Sequence, residues 1–235
     1  MNPRIVWLAM AAFLMVATGR VCADGDLSQE EIRDALQKLA AARPAGGVIV
    51  EFRETRRLPL LDKPVVSTGT IEFLPPHFFR KTLRGSFPST TIVNGTDLWI
   101  YYPSEAAAEK YSLEGNRPLR ESLAALAAGF DPGRILGRFQ ITGSRTEGSL
   151  DLRLVPSRRA LRNSLSTLDL QFNSSGRLER IVLSEPGGGS TRIEVLSEKP
   201  AALRPADFEF VPPPGTSVSQ PLAGCRSDKS EPLFC

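Results

Sequence analysis

The chain has 235 residues, 41% of them hydrophobic, with 29 basic and 26 acidic side chains and a formal net charge of +3. Two of the basic residues, Arg4 and Arg20, lie in the first 23 positions with no acidic residue beside them, so the remaining 212 residues carry only +1. That balance excludes the basic field a nucleic-acid binder presents, and the length suits one large β domain or two small ones.

The first 23 residues read as an export signal. Arg4 supplies the positive start, Ile5 to Thr18 is a run of 14 residues without a charge, and Val21-Cys22-Ala23 sets small or branched residues before Asp24. The run falls short of the ~20 apolar residues that span a bilayer. Cleavage after Ala23 and release into an oxidising periplasm are therefore expected. The alternative is lipidation at Cys22, but Arg20 and Val21 stand where a lipobox takes small residues. Once Cys22 is removed, Cys225 and Cys235 remain and are expected to pair. Closing that loop of about 11 residues is worth roughly 3 kcal/mol in the chain-entropy model. The spacing is not C-x-x-C, which gives no redox site.

Ser28-Gln-Glu-Glu31 is a capping box, and Ile32, Leu36, Leu39 and Ala40 follow at helical spacing until Pro44. One amphipathic helix near Ser28 to Ala42 is predicted. Strands come next. Val48, Val50 and Phe52 alternate with Ile49, Glu51 and Arg53. After a break from Pro59 to Pro64, Gly69, Ile71 and Phe73 alternate with polar neighbours, and Pro75-Pro76 ends that strand. Phe79, Lys81 and Leu83 continue the pattern, and Asn94-Gly95 is a turn between Thr90–Val93 and Leu98–Tyr102. Leu119, Leu123, Leu126, Ala127 and Phe130 make a helical apolar stripe after Pro118, and Asp131-Pro132 starts another turn before Ile135 and Leu136. Strands resume at Phe139 and Ile141, at Leu150, Leu152 and Leu154, and at Leu168, Leu170 and Phe172. They continue across a turn at Asn173 to Gly176 into Leu178–Leu183, and then, past the turn at Pro186 to Gly189, into Ile193 and Val195. Gly187-Gly-Gly-Ser190 lacks the helix start and the Lys of a phosphate loop and reads as a hairpin turn. The tail from Pro212 is rich in Pro, Gly and Ser and reads as irregular. Regular short strands with tight turns argue for a mainly β, antiparallel meander.

Chemistry-bearing clusters are not evident. His77 is the one histidine, so a Ser-His-Asp or Cys-His site would have to use it. No His/Cys/Asp group has metal spacing. Glu51 and Glu54 share a strand but face opposite sides. Arg158, Arg159 and Arg162 read as a solvated face. No enzyme activity, cofactor or metal is expected. What remains is apolar surface: one long amphipathic sheet and two amphipathic helices, able to close on an ordinary core or to enclose a cavity.

Asn94-Gly-Thr-Asp-Leu98-Trp99-Ile-Tyr101-Tyr-Pro103 resembles the G-x-x-L-W-x-Y signature of the LolA family of periplasmic lipoprotein carriers. Phe52-Arg-Glu54 is similar to the family's F-x-Q. Gly69-Thr-Ile71-Glu-Phe73-Leu-Pro-Pro76-His-Phe-Phe79 is similar to its G-x-L-x-x-x-x-P-x-x-F, and Phe208-Glu-Phe210-Val-Pro-Pro-Pro-Gly215-Thr-Ser-Val218 to its closing F-x-F-x-P-P-x-G-x-x-V. The resemblance runs from about Leu27 to Val218. It implies an incomplete antiparallel β-barrel of about eleven strands with a helical lid over residues 24–218, followed by an irregular tail at 219–235. It implies a monomer whose cavity shields acyl chains, taking lipoproteins from an inner-membrane releasing complex to an outer-membrane acceptor. Strand phase names Val50, Phe52, Ile71, Phe73, Phe79, Leu98 and Ile100 as lipid-binding residues of the sheet, and Leu119, Leu123, Leu126 and Phe130 as the lid's inner face. Two positions depart from the pattern. Pro75 stands where the family's carriers often have a lid-holding arginine, and Glu54 replaces the glutamine of F-x-Q. A carrier of another lipid, a glycolipid or a lipid-linked pigment, is the second expectation. A periplasmic lipid sensor of this architecture would carry a further C-terminal domain, and only about 17 residues follow Val218. A membrane-anchored acceptor would need the lipid on Cys22.

Overall fold

The computed structural model describes residues 25–116, 119, 120, 123, 124, 127–146 and 148–221. Residues 1–24, where the export signal is expected, and Leu126, Cys225 and Cys235 lie outside them. Among the described residues thirteen strands form one sheet: β1 (Gly25–Asp26), β2 (Val48–Arg57), β3 (Val65–Leu74), β4 (Phe78–Arg84), β5 (Ser89–Asn94), β6 (Asp97–Tyr102), β7 (Ala107–Ser112), β8 (Phe139–Thr146), β9 (Ser149–Pro156), β10 (Thr167–Phe172), β11 (Leu178–Ser184), β12 (Ser190–Pro200) and β13 (Ser217–Ser219). The order is β1-β8-β9-β10-β11-β12-β2-β3-β4-β5-β6-β7-β13. Two meanders, β2 to β7 and β8 to β12, are joined edge to edge by β12 against β2, and the sheet stays open at β1 and β13. The eleven strands from β2 to β12 are the expected incomplete barrel. The two short edge strands were not anticipated. β13 corrects the reading of the tail as wholly irregular, since Ser217–Ser219 pairs parallel with β7. Strand β7 also escaped the sequence, because Ala107–Ser112 (AAEKYS) carries little apolar alternation.

Period-two patterning sets the face of each strand. In β2 the side chains of Val48, Val50, Phe52 and Glu54 point to the buried inner face, and Ile49, Glu51 and Arg53 to solvent. The register carries that face across the first meander. Val48, Phe73, Phe79, Val93, Leu98 and Tyr111 are successive cross-strand partners. The next row is Val50, Ile71, Lys81, Thr91, Ile100 and Glu109. Gly69 is required where it stands: a Cβ there would sit 2.1 Å from the Thr82 carbonyl and 2.9 Å from the Phe52 ring. The Asn94 turn forms as expected, its Oδ1 accepting the Asp97 N–H at 2.9 Å.

Helix α1 (Gln29–Ala41) carries the expected capping box: Ser28 Oγ accepts the Glu31 N–H while the Glu31 carboxylate accepts the Ser28 N–H at 2.9 Å. Its apolar stripe, Ile32, Ala35, Leu36 and Leu39, joins the inner-face residues of β8 to β12 in one core. There Leu152, Leu154, Leu168, Leu170 and Phe172 are 0–1% exposed. Between β7 and β8 the chain crosses the inner face. Leu119, Arg120, Leu123, Ala124 and Ala127 are helical there, and a 3-10 turn follows at Pro132–Arg134. A short helical turn at Arg159–Arg162, not expected from sequence, buries Leu161.

Candidate functional site

The first meander and the crossing segment do not fill the space between them. A cavity of about 430 Å³ remains, inside the ~300–1,000 Å³ range of ligand pockets. It lies at the end of the sheet marked by the β3–β4 and β5–β6 turns, where Pro76, His77 and Gly95 form its rim. Phe73, Phe79 and Val93, three neighbours in one cross-strand row, form one apolar wall. Leu123, Ala124 and Ala127 form the opposite wall, and Leu113, Phe139 and Leu161 close the sides. The strands place these side chains through alternation, and the helical segment places its own through i, i+4 spacing.

Three of the sequence-named residues, Phe73, Phe79 and Leu123, line this cavity. Val50, Phe52 and Ile71 share the inner face but are packed to 0–1% exposure in the core beside it. Leu98 is buried in the same core, and Ile100 and Leu119 pack against it half-buried. Phe130 is buried and lies over Phe73 with ring centroids 6.0 Å apart, which ties the crossing segment to the sheet. The eleventh residue, Leu126, is outside the described residues. Val93 was within reach of the sequence, because the Asn94-Gly95 turn places it opposite Leu98. Leu113, Phe139 and Leu161 depend on how distant segments meet, and no local pattern marks them.

Polar contacts hold the crossing segment in place. Just past α1, Arg43 donates to the Gly129 carbonyl at 3.0 Å and pairs with Glu198 of β12 at 2.5 Å. Arg134 donates to the Pro76 carbonyl at 2.8 Å and lies 3.8 Å from Asp131. Arg120 donates to the Leu113 carbonyl at 2.6 Å. The position held by Pro75 thus has no arginine of its own, yet Arg134 reaches the neighbouring Pro76 from the opposite side. Arg80 takes no part in the cavity. It sits on the outer face, bonded to Glu72 at 3.2 Å and to the Asp207 carbonyl. Arg158, read from sequence as part of a solvated face, is exposed and also lines the cavity.

Charge at the cavity is uneven. Burial, joined by the Arg134 charge, holds the His77 pKa below its ordinary value, with Asp131 opposing. Burial raises the Asp131 pKa against the pull of Arg134, His77, Arg138 and Arg43. Deeper along the inner face, Glu54 is 6% exposed and ion-paired with Lys81, whose ammonium also lies 5.6 Å from the Phe52 ring centroid. The departure from F-x-Q is therefore matched by a cation two strands away. At the meander's far side, burial together with the 2.7 Å hydrogen bond to Glu109 pushes the Tyr111 pKa up to about 12. Among the described residues no group of His, Cys, Asp or Glu could hold a metal ion.

The family model described as "Outer membrane lipoprotein carrier protein LolA" matches residues 47–211. An outer-membrane lipoprotein carrier protein of Chromobacterium violaceum is 28% identical over 153 residues, covering 65% of this chain and 71% of that protein. One from Leptothrix cholodnii is 24% identical over 220 residues, covering 92% and 97%. A solved LolA superfamily protein from Nitrosomonas europaea aligns with a TM-score of 0.45 at 14% identity, covering 76% of this chain and 97% of that one.

Proposed function

The chain belongs to the LolA family, and from that premise we propose that it is a periplasmic carrier that takes the acyl chains of lipoproteins into its cavity and moves them from the inner to the outer membrane. The observation that carries the reading is the apolar cavity left open between Phe73, Phe79 and Val93 on the sheet and Leu123, Ala124 and Ala127 on the crossing segment. Family members are carriers rather than enzymes, and the relatives' names agree.

The energetics favour hand-over rather than release into water. A chain of ~16 carbons is worth roughly 13 kcal/mol at ~0.8 kcal/mol per buried CH₂. Cargo would leave only when a second apolar site accepts it, with displacement of the crossing segment as the gate. Among the described residues the ties to be broken include Arg43 to Gly129, Arg134 to Pro76, the Phe130–Phe73 ring contact and the burial of Ala128, Phe130 and Ile135 in the core. An inner-membrane releasing complex and an outer-membrane acceptor would be the partners on either side.

A carrier of a non-protein lipid is the second reading. Glu54 in place of the family glutamine and Pro75 in place of the arginine support it, since both change the polar frame around the cavity. Native mass spectrometry of the protein purified from its own periplasm tests the two. Co-purified acylated protein supports the first reading, co-purified free lipid the second, and a protein with no apolar cargo under any extraction condition would count against both. The same spectra read the mature N-terminus: an unmodified Asp24 fits a released carrier, and a lipid on Cys22 would make the protein an anchored acceptor instead.

A further inference from the structure

Away from the cavity, the first meander ends in two turns whose tips are apolar. The β2–β3 turn reads Leu58-Pro-Leu60-Leu61-Asp62-Lys63-Pro64, and the β4–β5 turn reads Gly85-Ser-Phe87-Pro88. Leu60 is 96% and Phe87 72% exposed, and Leu61 and Val66 are exposed beside them. The turns are neighbours: Thr68 of β3 pairs with Arg84 of β4, and a Cβ on Gly85 would lie 3.5 Å from Ser67 Oγ. Both are held in shape. Pro59 and Pro64 restrict the first, which the Leu61 N–H closes on the Leu58 carbonyl at 3.0 Å. Gly85 turns the second with a φ of 127°. Turn positions are ordinarily polar, and apolar side chains gathered in the open inside a polar border mark a contact surface. Here the border is basic. Arg56, Arg57, Lys63 and Arg84 are exposed at the bases of the two turns, with Asp62 the one carboxylate within them. The nearest other carboxylates in the adjoining turns, Glu185 and Glu105, are each one hairpin away.

We propose that this end of the sheet docks on an anionic phospholipid bilayer, with Leu60, Leu61 and Phe87 in the interfacial layer and Arg56, Arg57, Lys63 and Arg84 at the phosphates. A side chain with nearly all of its surface open protrudes. A soft, planar interface accepts such tips, whereas a protein surface takes them only in a matching recess. Long basic side chains lay their stems along the apolar border and carry their charge to headgroup level. The surface stands apart from the cavity, whose rim at Pro76, His77 and Gly95 is at the other end of β3, β4 and β5. Docking of this kind does not require that the cavity hold a lipid. A carrier bound this way would stay beside the bilayer with its cavity mouth unobstructed.

Vesicle flotation tests the docking. The protein purified from its own periplasm is mixed with vesicles of phosphatidylcholine alone, or of equal parts phosphatidylcholine and phosphatidylglycerol. Binding to the anionic vesicles is expected to be roughly tenfold tighter and to weaken in added salt, since each Lys or Arg near such a surface contributes a factor of roughly five. Leu60→Ser with Phe87→Ser, and separately Arg56→Gln with Arg84→Gln, should each weaken it roughly tenfold at an unchanged melting temperature. Phe87→Trp should gain an emission quenched by bromine-labelled phospholipid, while in the parent protein Trp99, packed on Phe210, should not be quenched. Equal binding to both vesicles, binding indifferent to either pair of replacements, or no quenching in Phe87→Trp would overturn the docking surface. Dimers that form without lipid and are abolished by Phe87→Ser would assign the tips to a second copy of the chain instead. Displacement of the fluorophore N-phenylnaphthylamine by palmitate is measured alongside. Vesicle binding without displacement upholds the docking surface and counts against the carrier; displacement without vesicle binding does the reverse.

Discussion

Two phenylalanines on the same inner face separate a cavity wall from a packed core. Phe52 is fully buried, with Lys81 over its ring and Gly69 against its edge. Phe79, two strands away, is 7% exposed, and part of its ring faces the cavity. Replacing a fully enclosed phenylalanine by alanine costs ~3–5 kcal/mol, because transfer energy and surrounding contacts are both lost. Phe52→Ala should therefore cost about 4 kcal/mol and lower the melting temperature by about 12 °C in a chain of this size. Phe79 already lacks neighbours on its cavity side, so Phe79→Ala should cost about 2 kcal/mol and about 6 °C. Ligand binding should reverse the order. Removing ~50 Å² of ring from contact with an acyl chain at ~25 cal/mol per Å² weakens binding roughly tenfold, whereas Phe52→Ala should change it less than about threefold. Differential scanning fluorimetry and fluorophore displacement by a palmitoyl ligand measure both quantities on the same samples. If Phe79→Ala destabilises as much as Phe52→Ala and leaves ligand affinity unchanged, Phe79 is ordinary core and the cavity is not where chains bind.

Three further outcomes test the frame around the site. Ser28→Ala removes the capping box of α1 and should cost about 1 kcal/mol, or about 3 °C, with faster amide exchange in the first helical turn. Glu54→Gln leaves the Lys81 ammonium on the inner face without its carboxylate and should cost about 2 kcal/mol in urea unfolding; joining it to Lys81→Met should restore most of that, and a double variant less stable than the single would contradict the pairing. Asp207 has its pKa held below 3.8, mainly by the Arg204 backbone N–H. Its folded pKa is depressed, so the stability it contributes is present above 3.8 and lost as the pH falls through the lowered value. In the chain without residues 1–23, Trp99 is the one tryptophan and packs on Phe210, three residues beyond Asp207. Its emission should change with a midpoint below pH 3.8, and Asp207→Asn should produce part of that change already at neutral pH.

Local chemistry explains what was legible. Ser28 with Glu31 marked the start of α1, Pro75-Pro76 the end of β3, and Asn94-Gly95 the β5–β6 turn, because each of these signals acts within four residues. Alternation separated the two faces of β2, with Glu51 and Glu54 on opposite sides, and the structure turns the face of Val50, Phe52 and Glu54 inward. Strand β7 was invisible for a reason of the same kind: its inner residues are Ala107, Glu109 and Tyr111, and two of them are not apolar. The cavity itself required knowing which apolar rows are covered. Phe52 and Phe79 carry the same alternation and the same residue type, and only the path of the crossing segment decides which of them meets empty space. Arg120, Arg134, Arg138 and Arg158 are spread over 39 positions in the chain and gather only when that segment folds back.

The outer face shows how a sheet can keep an unfilled interior. In β8 to β10 the inner side chains are packed against α1, and the outer ones need no cover. Strands β3 to β5 line the cavity, so part of the apolar contact that would hold them together is missing on the inside. Their compensation lies behind them. Leu74 and Ile92 are buried on the outer face against Phe208, with Phe78, Trp99 and Phe210 around them. Phe208 stacks on Phe78 at 5.5 Å, and Phe210 contacts both Trp99 and Tyr101 at 5.5 Å. Arg80 bonds the Asp207 carbonyl and lies over the Phe208 ring, fixing the segment across β4. The F-x-F of the closing motif is thus an external clamp on the strands whose inner face is reserved for a ligand. This division assigns separate tasks to the two faces of one short stretch of sheet. It also accounts for the pairing, within one sequence, of a conspicuous aromatic motif near the C-terminus with a cavity wall, Phe73, Phe79 and Val93, more than a hundred residues earlier, through strands that touch both.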